Sequence, residues 1–165
     1  MPTLDRLQSI LLDAIEQAPL DAGFKAAMEA ALIKGHTAAY LAAVAERAGV
    51  GVDSGLFKGL SKAERQDIRA AVAAQLDYLA GFDPSEMSEP AARARAAMYA
   101  GSIRATFEKA RSPGLPFYPG EGTECLTNCR CSWQDNGDDT YTWVLDAKES
   151  CATCLERADG GPYER

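Results

Sequence analysis

The chain has 165 residues, 47% of them apolar, and a formal net charge of −7, which is material for one domain of ordinary size or for one domain plus a small appendage. The charge is uneven: residues 1–120 hold 14 acids against 13 bases, whereas residues 121–165 hold 10 acids against 4 bases. That balance argues against a reader of duplex DNA, which uses a basic patch to displace counterions, and no apolar run approaches the ~20 residues of a membrane span.

The N-terminal stretch MPTLDRLQSILLDAIEQ carries acids and an amphipathic period rather than the features of a secretory signal, so the chain is expected to be soluble and made in the cytoplasm. Leu4, Leu7, Leu11, Ile15 and Ala18 recur at steps of three and four and predict a first helix that Pro19 ends. A second periodic stretch starts near Asp21, with Phe24, Met28, Ala31 and Leu32 on one side, and resumes after Gly35 with Tyr40, Leu41, Val44 and Ala48. One glycine costs a helix only about 1 kcal/mol, so a single continuous or slightly kinked helix is expected. His36, the one histidine, has no partner at a useful spacing and reads as a structural or surface residue.

Gly49 to Leu60 carries four glycines and reads as a loop. SKAE at 61–64 has the spacing of a capping box, in which Ser61 and Glu64 each satisfy the other's amide. The helix it opens runs through Ile68, Val72, Leu76 and Leu79 to a stop at Gly81. Ser88, with Pro90 in the first turn, predicts another helix through Arg111, anchored by Met98, Tyr99, Ile103 and Phe107. Residues 1–111 are thus expected to form a mainly α domain of four to five helices, in a bundle or an array, with periodic aromatics in its core.

Residues 112–122, within RSPGLPFYPGEG, are rich in proline and glycine and read as a stiff, extended linker. Leu115, Phe117 and Tyr118 on it are candidates for binding a partner, or for packing against the chain's own helices. Residues 123–165 form a different module. Cys129, Cys131 and Trp133 alternate, as do Tyr141, Trp143 and Leu145, and Asn136-Gly137 between them signals a β-hairpin.

All five cysteines, Cys125, Cys129, Cys131, Cys151 and Cys154, fall in this module. An odd count in a reduced compartment argues against disulfides. No α/β pattern surrounds the C-x-x-C as a redox motif requires, and the one histidine is far away for a catalytic cysteine. Structural Zn2+ remains: thiols before and after a hairpin suit a small zinc-ribbon-like module, and a unit of ~45 residues needs such a staple. Cys151 and Cys154 supply one pair. The other comes from Cys125 with Cys129, which is favoured, or from Cys125 with Cys131. With cysteine as every donor no open coordination position is left for hydrolysis, and no nucleophile–base pair or phosphate loop stands out, so an enzyme is not expected.

The stretch ARARAAMYAGSIRATFEKA, then a proline-rich passage, then Asn128, Cys129, Arg130 and Cys131 as NCRC, resembles phage minor head (head-morphogenesis) proteins. The resemblance covers roughly the last half of the chain, from the helix at Ala91–Arg111 onward. Longer members carry histidines near the C-terminus, so this would be a short or divergent one. It implies a virion structural protein of the head, portal or neck region, without catalysis. Such a protein is made in the host cytoplasm, is oligomeric in the particle and contacts a portal or capsid protein. The other reading is a cellular zinc-ribbon adaptor that binds a protein or a nucleic acid.

Overall fold

The computed structural model describes residues 2–21, 23–51, 60–81, 83–125, 129–146 and 150–165. The first part of the chain is helical, in keeping with its apolar period: α1 (Pro2–Glu16), α2 (Phe24–Ala48), α3 (Lys62–Ala80), α4 (Glu89–Ala100) and α5 (Ile103–Arg111). Helix α2 runs through the middle and packs against the other four. Its Phe24, Met28 and Leu32 are fully buried with Leu4 and Ile15 of α1 and Ile103 and Phe107 of α5. The interior is thus a set of aliphatic and aromatic anchors spaced along an alanine-rich scaffold, and small residues let the helix axes come close.

Gly35 does not interrupt α2, which is continuous over 25 residues. A Cβ there would stand 2.8 Å from Leu11 Cδ2 and 3.3 Å from Ile103 Cγ2, so the missing side chain is what lets α1 and α5 close on the same turn of α2. The helix ends on Gly49 at φ 66°, with the amides of Gly49 and Val50 closing on the carbonyls of Glu46 and Ala45. This is a Schellman closure, for which only glycine avoids a Cβ penalty. The loop expected after it falls mostly on residues 52–59, outside the described residues. The box at the start of α3 is formed: Ser61 N–H donates to Glu64 Oε2 at 2.7 Å and Glu64 N–H to Ser61 Oγ at 3.2 Å.

Two helical expectations need correction. Ser88 holds the N-cap position of α4, but its side chain makes no capping hydrogen bond. The long helix expected through Arg111 is divided at Gly101–Ser102 into α4 and α5. There the amides of Gly101, Ser102 and Arg104 bond three residues back, to Met98, Tyr99 and Gly101. This tight 3₁₀-like step takes Met98 out of the core, 45% exposed, while Tyr99, Ile103 and Phe107 stay buried.

The C-terminal module has β1 (Ser132–Asp135), β2 (Thr140–Val144), a helix α6 (Ala152–Asp159) and β3 (Tyr163–Glu164). The expected hairpin is present, with Trp133 opposite Trp143, and β3 adds to it antiparallel through Tyr141 and Tyr163. The turn spans four residues, with positive φ at Gly137 (82°) and Asp139 (63°). Trp133 and Trp143 cross edge to face at 5.0 Å, and Phe117 joins both rings at 5.0 and 5.2 Å. A sheet this small holds together through such pairs.

The segment read as a stiff linker is folded into this second core. Gly114, Gly120 and Gly122 take φ of 89°, 82° and 60°, so the chain turns repeatedly instead of extending. Tyr118 Oη donates to the Ser112 carbonyl at 3.0 Å and accepts from the Leu115 amide at 3.2 Å. Leu115 and Tyr118 are buried and Phe117 is half-buried against them, so these residues, candidates for a partner or for packing on the chain's own helices, belong instead to the core of the C-terminal module. Trp133 Nε1 donates to the Phe117 carbonyl at 2.8 Å, which fixes the segment to the sheet.

One buried charge ties the two cores together. Glu108, on α5, is wholly buried and pairs with Arg111 at 3.1 Å. Arg111 also donates to the Trp133 carbonyl and lies 3.5 Å from Glu46 of α2. Burial pushes the Glu108 carboxyl above its usual range, and the charge of Arg111 and a bond from the Trp133 amide pull the other way.

Candidate metal centre

The cysteines are brought together from three places. Cys125 follows the turns of the 112–122 segment, Cys129 and Cys131 lead into β1, and Cys151 and Cys154 begin α6. The burial of Cys129, Cys131 and Trp133, with Arg130 exposed between, follows the alternation read from the sequence. The second pair stands on a helix rather than on a ribbon: Cys151 is the N-cap residue of α6 and Cys154 lies in its first turn. Helix spacing then puts both thiols on the same end of α6, facing the first pair.

All five cysteines are free thiols. The sulfurs of Cys125, Cys129 and Cys154 lie within 4.8 Å of one another and could hold a metal ion. Individual separations are 3.7 Å for Cys129–Cys154, 4.0 Å for Cys125–Cys154 and 3.6 Å for Cys151–Cys125. A tetrahedral thiolate site with Zn–S bonds of about 2.3 Å has sulfur–sulfur edges of about 3.8 Å. Three of the sulfurs thus stand at about the spacing of a thiolate site, and Cys151, outside that mutually close group, is 3.6 Å from Cys125. Asn128, part of the NCRC motif, lies outside the described residues.

The thiols differ in environment. Burial, with the neighbouring thiols of Cys131 and Cys151, pushes the Cys154 thiol far up. Cys125 is raised, chiefly by burial. For Cys151 burial works against ionisation, but bonds from the Cys154 and Cys125 backbone outweigh it and bring the group to about 7. Amides at a helix start stabilise a thiolate in this way. The sequence carries little signal for α6, a helix of only eight residues, so the C-x-x-C at its start is visible only in the fold.

His36 is the residue whose surroundings sequence reasoning missed. It is buried, with Nδ1 2.7 Å from Thr106 Oγ1 and Nε2 3.1 Å from Ser102 Oγ. Ser102 Oγ donates its proton to the Tyr99 carbonyl at 2.6 Å, so toward His36 it accepts. The imidazole is therefore protonated at Nε2 and accepts from Thr106 at Nδ1. The three polar groups satisfy one another where α2 meets the start of α5. The partners lie 66 and 70 residues away, and no spacing rule links them.

Comparison with models of protein families, with curated proteins and with solved structures finds no match. No helix among the described residues is long and apolar enough to cross a membrane.

Proposed function

We propose that this chain is a non-catalytic structural protein of a phage head, of the minor head kind, whose C-terminal module is held by one zinc ion. One observation supports the zinc reading: Cys125, Cys129 and Cys154 lie within 4.8 Å of one another and Cys151 stands 3.6 Å from Cys125, close to the edge length of a tetrathiolate site. Cys125, Cys129, Cys151 and Cys154 are its ligands, and Cys131 is a small buried residue beside them. Bound zinc would cross-link the entry to β1 with the start of α6, and so close a module whose own core is a few aromatics. The head assignment rests on the sequence resemblance of residues 91–131. Its partner is a portal or capsid protein, and its place is the virion after synthesis in the host cytoplasm. With the aromatics of the 112–122 segment buried, the docking surface falls to the helices.

Elemental analysis of the purified protein should give about one zinc per chain, and Cys154→Ser should abolish it. Metal-free protein with an intact module would end the zinc reading. For the head assignment, the chain should co-purify with assembled particles. If it does not, and instead captures a cellular protein or nucleic acid through the zinc module, the adaptor reading replaces it.

A further inference from the structure

Helices α3 and α4–α5 both pack on α2 without closing on each other. Between them lies a cavity of about 770 Å³, within the range of roughly 300–1,000 Å³ of small-molecule sites. Ala70, Ala71 and Ala74 form one wall, and Ala94, Met98 and Ala105 the other. Tyr40 and His36 make the floor, and the turn at 118–121 closes one end.

Three observations define what would fit. The walls are methyl groups and a thioether, so the body of the ligand is apolar. The charged groups around the cavity are engaged within the chain: Lys109 with Asp67 at 3.9 Å, Arg104 with Asp5 at 3.6 Å, Glu121 as acceptor from the Tyr118 amide at 3.1 Å, and Arg95 with a contact of its own, so the ligand need carry no charge. Gln75 lines the cavity with a buried Oε1 that has no hydrogen-bond partner among the described residues. A buried amide oxygen left unpaired costs about 1–3 kcal/mol, and one polar group in an apolar pocket is what orients a small ligand.

We propose that this cavity is a binding site for an uncharged, mainly apolar small molecule bearing a single hydroxyl or amine N–H, which Gln75 receives. The inference does not rest on the phage assignment: the walls are on α3, α4 and α5 and the floor on α2, while the turn at 118–121 and Cys129 of the cysteine-rich module complete one end.

N-phenyl-1-naphthylamine is a suitable probe, being neutral and apolar with one N–H and fluorescent when desolvated. Titrated into the full chain as purified, it should bind saturably with one site per chain. Ala74→Phe and Ala94→Phe fill the cavity from opposite walls at exposed positions, where a larger side chain is tolerated by the fold. Each should weaken binding at least about tenfold while circular dichroism is unchanged, whereas Leu155→Ser, at an exposed apolar position elsewhere, should leave it intact. Gln75→Leu should weaken the amine probe about three- to tenfold but not diphenylhexatriene, which has no polar group. No saturable binding, as for a cavity filled by water only, would overturn the proposal, and so would an affinity in both phenylalanine variants equal to that of the unchanged chain.

Discussion

At the scale of single residues, His36 has the clearest measurable consequence. Burial lowers its pKa from 6.5 to about 4, so the fold keeps the ring neutral where the unfolded chain takes a proton. The sign follows: the contribution of His36 to stability is complete above pH 6.5 and is lost as pH falls from 6.5 toward 4. Between pH 8 and pH 5 the loss is about 2 kcal/mol. Other groups also titrate in acid, the cysteines among them if they hold the proposed zinc, so the comparison is with His36→Gln, which cannot gain the charge. In urea unfolding, the gap between wild type and variant should shrink by about that amount on going to pH 5. A gap that does not change with pH would contradict the buried neutral ring. Gly35 is the other decisive position. Gly35→Ile would drive a branched side chain into Leu11 and Ile103, and overpacking of this kind costs roughly 1–3 kcal/mol, readable as a lower unfolding midpoint.

At the scale of elements, helix starts with similar sequence signals differ in what holds them. Ser61 and Glu64 form a reciprocal pair at α3, so Ser61→Ala should cost about 1 kcal/mol. Ser88 makes no capping bond at α4, so Ser88→Ala should change stability by less than about 0.5 kcal/mol. Equal losses in thermal or chemical unfolding would refute that distinction. The 3₁₀-like step between α4 and α5 is a choice made at this scale too. It trades one long helix for a turn that presents Ser102 and Thr106 to His36, and burying those polar groups together satisfies all three.

At the scale of the molecule, the two cores share Glu108 and Arg111. Arg111→Met would leave Glu108 buried without its cation, at a cost of about 3–5 kcal/mol. Because Arg111 also reaches the Trp133 carbonyl, that loss should appear in tryptophan fluorescence as well as in helix content. Replacing both, as Arg111→Met with Glu108→Leu, removes the stranded charge and should recover much of the loss. A double variant no better than Arg111→Met would show that the pair holds the cores together through its geometry rather than by cancelling charge. Chelation of the proposed zinc should likewise disturb the tryptophans first, since the cysteines lie beside Trp133 and Trp143 in the same buried cluster.

The sequence by itself determined what depends on neighbours three or four residues apart, or on alternation by two. Those are the helices of residues 2–111, the box at Ser61–Glu64, the hairpin and the gathering of cysteines in one module. Only the tertiary structure decided the rest, because it turns on contacts between distant residues. Gly35 is not a break but a contact, since Leu11 and Ile103 need its space. Leu115, Phe117 and Tyr118 are core rather than docking surface, since the segment turns back on Trp133. The helix beginning at Cys151 has only eight residues, too short to stand on local propensity alone, and its place against β2 and the other thiols is what makes it a helix.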